Sequence, residues 1–201
     1  MATTLEGFIQ QLAVCYVARG YWYYVTGVVP ADKPPSLIDQ KLIHGYGITA
    51  KKWERARRKR AGLANMQYIR FGTFFVLLAT DGDHIFRRRE QSEIRDVRRC
   101  AIRHGGYQVG FRGGHVQVRM DPTTYRQLKA YYVDVACHRS QEKLIEEFYR
   151  APFEPYAGVR RQMFNILREV NRTRRRAGYE RLPNSCIWLK RRIVERFCEP
   201  Q

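Results

Sequence analysis

Acidic residues are scarce in this chain: 19 Asp and Glu stand against 37 Lys and Arg, leaving a formal net charge of +18. Solubility asks for only a modest net charge, so an excess this large implies a polyanionic partner or considerable self-repulsion. Long hydrophobic runs are also missing. The longest, such as Phe74–Ala79, are far too short to span a bilayer, and no basic stretch precedes the apolar N-terminal segment. Membrane attachment is not expected, although a basic surface can meet anionic lipid. Cysteine is sparse and odd in number. Cys15, Cys100, Cys137, Cys186 and Cys198 lie at wide, irregular spacing, without the close pairs of a structural zinc site. With no secretory leader, they read as reduced thiols of a cytoplasmic protein.

Several motifs are absent as well. There is no solenoid-period repeat, low-complexity tract, phosphate-binding glycine loop or nucleophile elbow. There is no zinc finger, coiled-coil basic region or RNA-recognition-sheet signature either. What remains is a core and a charge pattern. Hydrophobic residues make up 44% of 201 positions, enough for one sizeable domain or two small ones, which excludes disorder throughout.

The positive charge is localised. Segments Lys51–Arg60, Arg87–Arg99, Val159–Ala177 and Lys190–Phe197 carry the whole net excess between them. Lys51, Lys52, Arg55, Arg57, Arg58, Lys59 and Arg60 face a single acid, Glu54, so that segment cannot neutralise itself. Arginine dominates, which suits bidentate phosphate contacts and stacking on bases. Three of these patches are candidates for one composite footprint with the first, if the fold brings them to one face. In Arg87–Arg99 the interleaved acids satisfy part of the charge locally.

Taken along the chain, Leu5–Arg19 reads as an amphipathic helix capped by Thr3 or Thr4. Tyr21–Val29 reads as an aromatic strand in which Tyr21 and Tyr23 oppose Trp22 and Tyr24. A helix capped by Ser36 and closed at Gly45–Gly47 follows, then the basic helix with Thr49 as its cap and Trp53 as its anchor to the core. Met66–Phe71 and Thr73–Thr80 read as strands paired around Gly72, the second being central and buried. Ala101–His104, Tyr107–Phe111 and His115–Met120, separated by Gly-Gly pairs, read as an antiparallel sheet with Arg112 and Arg119 on its polar face. Asp121–Pro122 opens a long helical region interrupted at His138–Ser140. Ala151–Gly158 carries prolines and marks a linker, followed by a helix with an apolar stripe that ends in an arginine cluster. The expected fold is α+β: a mixed domain over 1–150, with an antiparallel sheet and flanking helices, and a basic helical extension over 151–201.

These features point to a protein that binds nucleic acid, structured RNA or a single strand being favoured over duplex. Phosphate contacts are expected from Lys51, Lys52, Arg55, Arg57, Arg58, Lys59, Arg60, Arg112, Arg119, Arg172, Arg174, Arg175 and Arg176. Trp22, Tyr24 and Tyr107 are candidates for stacking on bases. Binding of this kind requires no cofactor. A second reading is an enzyme on the same ligand: a nuclease using Mg²⁺ or Mn²⁺ at Asp81, Asp83 and His84, or a nicking and joining protein using Tyr125 or Tyr132 as nucleophile. A third is a basic structural subunit of an RNA–protein assembly.

Overall fold

A computed structural model describes residues 2–188. In chain order the elements are α1 (Leu5–Gln10), β1 (Tyr23–Val28), α2 (Pro35–Gly45), α3 (Lys52–Arg60), β2 (Met66–Phe71), β3 (Phe74–Ala79), α4 (Ile85–Arg89) and β4 (Arg95–Asp96). They continue as β5 (Ile102–His104), β6 (Tyr107–Arg112), β7 (His115–Met120), α5 (Pro122–Asp134), α6 (Gln141–Tyr149) and α7 (Ala157–Arg176). The chain is an α+β protein with antiparallel sheets, as its periodicities predict.

One sheet has the order β2-β3-β1-β4. The continuously apolar β3 is internal, as expected, pairing with β2 through Phe71↔Phe74 and with β1 through Val25↔Leu77. One face gathers Val25, Met66, Tyr68, Leu77 and Ala79 under Tyr46 and Phe86, with Leu42 and Ile43 of α2 packed against them. On the other face Phe8 of α1 lies against Phe71 and Phe74, with centroids 6.2 and 6.0 Å apart. A second sheet has the order β5-β6-β7. Its Gly105–Gly106 and Gly113–Gly114 turns all have positive φ, the conformation that tight hairpins demand and that glycine supplies without strain.

The chain forms two compact units: residues 2–102 with 109–116, and residues 103–108 with 117–188. The proline-bearing stretch at 151–158 runs within the second unit. There α7 buries Val159, Met163, Ile166, Leu167 and Val170, the stripe its sequence predicts. Tyr132 stacks on Phe148 at 4.2 Å. Asp121 caps α5 by accepting from the Thr123 and Thr124 amides, with Pro122 at the first helical position. Ser140 caps α6.

Local differences have physical causes. The expected first helix is α only to Gln10; residues Gln11–Tyr16 form a π-helical turn and Val17–Arg19 a 3₁₀ turn. β1 begins only at Tyr23, after Gly20 turns the chain at φ 92°. The alternation expected from Tyr21 therefore fails: Tyr21 and Tyr24 are buried, while Trp22 and Tyr23 are half-buried. Ser36 lies inside α2, whose N-cap is Pro34, and Thr49 falls short of α3, whose N-cap is Lys51. Trp188 is exposed and stacks beside Tyr149. Leu189, the basic tail Lys190–Phe197 and Cys198 lie outside the described residues.

Candidate nucleic-acid interface

Helix α3 buries none of its side chains. Its attachment runs through backbone at its C-terminal end. Leu63 N–H donates to Arg58 O at 2.9 Å, Ala64 N–H to Asp83 O at 2.9 Å, and Asp83 N–H to Gly62 O at 3.0 Å. Asn65 Nδ2 donates to Arg55 O at 3.1 Å while the Asn65 amide donates to Thr80 Oγ1 at 2.9 Å. The helix is thus tied to the end of β3 and the turn that follows it. Gly82 makes that tie possible: its φ is +119°, and a Cβ there would fall 2.6 Å from Ala64 N and Gly62 O.

Most cations of α3 are left facing outward. Lys51, Lys52, Arg57, Lys59 and Arg60 are exposed, and Arg55 and Arg58 half-buried. Among the described residues none of these seven enters an ion pair. Trp53, expected as the anchor to the core, is 62% exposed. Its helix face meets no core, and its ring instead carries the Arg57 guanidinium at 5.6 Å from the centroid. Arg58 turns inward, with a buried Nε that has no hydrogen-bond partner among the described residues. Burial, and next the Arg58 charge, hold the His84 imidazole below its ordinary value.

One flank of α3 also borders a groove of about 740 Å³ in the first unit. Arg55, Ala56 and Lys59 line one side; Cys15, Tyr16 and Arg19, presented by the π-helical and 3₁₀ turns, line another. Tyr21, Trp22, Asn65, Gln67, Thr80 and Asp81 complete the wall. Two polar atoms of this wall, Trp22 Nε1 and Asn65 Oδ1, are buried without a hydrogen-bond partner among the described residues. Burial pushes the Tyr16 phenol up to about 12, so it is neutral and accepts from Gln11 Nε2 at 2.7 Å. Three cations against one acid give the groove a net positive lining.

The stacking candidates separate sharply from this picture. Tyr24 is buried and donates to Cys100 O at 3.0 Å; Tyr107 is buried and accepts from the Glu154 amide at 3.0 Å. Both rings are enclosed by packing, so neither presents a face to a base. Trp22 is half-buried, with Arg98 at 4.4 Å from its ring and Phe111 at 5.5 Å. Arg98 is itself held by Asp96, whose carboxyl its hydrogen bonds keep below the usual range. The most exposed aromatic rings lie elsewhere, at Trp53, Tyr179 and Trp188.

The remaining arginines divide similarly. Arg112 is exposed and Arg119 half-buried, donating to Gln117 Oε1 at 2.8 Å. In the second unit Arg175 and Arg176 are exposed, and Arg172 is exposed but paired with Glu169. Arg174 is only 3% exposed: Nε donates to Glu180 O and Nη1 to Ala136 O, each at 2.7 Å. It is a structural clamp rather than a phosphate contact. The signal was in the spacing, because Arg174 continues the buried series Val159, Met163, Ile166, Leu167 and Val170 by one further turn.

The residues proposed for catalysis have local partners of their own. Asp81 accepts from Gly82 N–H and from Arg87, Asp83 bonds Gly62 and Ala64 through its backbone, and His84 Nδ1 accepts from Phe86 N–H. Among the described residues no three His, Cys, Asp or Glu side chains gather as metal ligands. Tyr132 is 4% exposed and burial raises its phenol above the ordinary value, the opposite of nucleophile activation. Tyr125 is half-buried in the first turn of α5, and its phenol has no hydrogen-bonded base among the described residues. No helix among the described residues is long and apolar enough to cross a membrane. No protein-family model, curated protein or solved structure matches this chain.

Proposed function

We propose that the protein binds nucleic acid, with α3 as its principal contact and a single-stranded or structured RNA segment as the favoured ligand. The observation that carries this reading is a helix with no buried side chain, no ion-paired cation among the described residues and an exposed tryptophan. A helix that contributes so little to packing while concentrating like charge is costly to the isolated fold. Neutralisation by phosphate offsets that cost and releases counterions. Trp53 with Arg57 across its ring supports a preference for unpaired bases, whose open faces stack on aromatics and guanidinium planes. The cationic groove beside α3 offers a continuation of the track for the strand. Among the described residues Cys15, Cys100, Cys137 and Cys186 are free thiols, which supports a reducing, cytoplasmic setting.

The test is binding and cleavage by nucleic-acid-free protein over single-stranded RNA, single-stranded DNA, duplex DNA and structured RNA, at several salt concentrations. The screen is run in EDTA and then with Mg²⁺ or Mn²⁺. The reading expects salt-dependent retention, strongest for unpaired or structured RNA, with no shortened product. Salt-insensitive binding, or none to any polynucleotide, overturns it; a discrete cleavage product moves the protein to the enzyme class.

A further inference from the structure

The second unit contains a built arginine hollow that the reading above does not use. Arg168, Arg172 and Arg175 stand at i, i+4 and i+7 on α7, along one side of the helix. The chain then turns at Gly178, with φ +78°, and doubles back. Three side chains fasten three successive residues of the returning segment. Arg174 Nε holds Glu180 O, and Gln141 Nε2 donates to Arg181 O at 3.0 Å. Asn171 donates to Leu182 O at 2.9 Å and accepts from Leu182 N–H at 2.8 Å. This clamp brings Arg181 and Asn184 to the arginine side of α7. With Leu167 and Asn171 they line an open-sided hollow of about 350 Å³ that carries four guanidinium-bearing residues.

Only Arg172 among the four is paired, to Glu169, whose carboxylate also faces Lys129 at 3.5 Å. Arg168, Arg175 and Arg181 are exposed and have no ion-pair partner among the described residues. Several guanidinium forks lining one hollow, beside a backbone fixed by side-chain hydrogen bonds, match the several acceptor oxygens of a tetrahedral oxyanion. A phosphodiester brings one charge and two continuing chain ends. A phosphomonoester brings roughly −1.5 to −2 and three strong acceptors on a group that ends there, which matches the several guanidinium groups lining the hollow better than a single diester charge does. We propose that this hollow binds a phosphomonoester, and specifically the phosphorylated end of a nucleic-acid strand. The strand-end identity rests on the nucleic-acid reading above, whereas the phosphomonoester chemistry stands on the hollow alone.

The experiment compares short single-stranded RNAs of one sequence carrying a 5′-phosphate, a 3′-phosphate or hydroxyls at both ends, together with adenosine 5′-monophosphate against adenosine. The wild-type chain is expected to prefer one phosphorylated end over the hydroxyl-ended strand by about tenfold, a difference of about 1.4 kcal/mol. The preference should fall in R175A and R181A, vanish in R168A/R175A/R181A, and persist in R176A, which removes an equal charge outside the hollow. Because the readout is a ratio, a general loss of charge does not mimic it. The exposed single variants, checked by circular dichroism, keep the test valid if the triple variant fails to fold. Equal affinity for all ends and for nucleotide against nucleoside overturns the proposal, as does a preference that survives in the folded triple variant. Preference for the mononucleotide alone overturns the strand-end identity and supports the phosphomonoester site. Failure of the hydroxyl-ended strand to bind speaks only against the α3 reading.

Discussion

Replacing Arg57, Lys59 and Arg60 together by alanine separates contact from scaffold on α3. All three side chains are exposed, none is ion-paired among the described residues, and the helix is held through the backbone of residues 62–65 and 83. Surface changes of this kind move stability by no more than about 0.5 kcal/mol each, and alanine is the better helix former. Thermal unfolding should therefore stay within a few degrees of the wild type. Binding should change in a defined way. Each single-strand phosphate contact contributes about 0.7 to the slope of log K against log salt. Removing three contacts should lower that slope by about 2, and at ~0.15 M salt weaken affinity by about 50-fold relative to the 1 M limit. Fluorescence anisotropy over a salt series reads both quantities. An unchanged slope with a folded variant refutes α3 as the contact, and a large drop in melting temperature reassigns it as scaffold.

Trp53→Ala should leave stability nearly unchanged, since the ring is mostly exposed, but cost single-strand binding about 1–3 kcal/mol; equal loss for duplex in the same titration would exclude base stacking. Arg174→Ala should destabilise the fold by about 3 kcal/mol, because the charge-assisted bonds to Glu180 O and Ala136 O vanish, whereas Arg176→Ala should not; urea denaturation compares them. Gly82→Ala should cost about 3 kcal/mol or more from a disfavoured φ and a backbone clash, and comparable stability in the same assay would disprove the proposed tie between α3 and β3. Burial holds both His84 and His104 below the ordinary histidine value, with Arg58 adding to the effect at His84. As pH falls through about 6.5 the unfolded chain takes up protons that the folded chain refuses. Stability should therefore decline over that window, level off below the folded values, and decline again in acid as Asp96 protonates. Denaturation midpoints from neutral to acidic pH check the sign, and Arg58→Ala should shrink the first decline.

Much of the architecture was legible because local and global signals agree. Alternation marked β6 and β7, Gly-Gly pairs marked their turns, and Asp121–Pro122 marked the start of α5. The π-helical turn was not legible, because its residues keep a helical hydrophobic pattern and only tertiary packing selects the wider winding. Charge located α3 but misjudged Trp53, since a tryptophan among arginines looks like an anchor until the backbone tie at Gly62–Asn65 is seen to do that work. Arg174 shows the converse: its composition signalled contact while its spacing already signalled burial. Arg19 and Arg181 carried no local signal, because only turns in the chain bring them beside cations that are distant in sequence.

The central claim is that α3 meets the nucleic acid, and mapping ultraviolet crosslinks to single-stranded RNA by mass spectrometry tests it most directly. The account predicts adducts concentrated on the segment Lys52–Arg60, with Trp53 prominent and the yield falling as salt rises. Crosslinks that spare this helix while modifying other surfaces of the folded protein would contradict it.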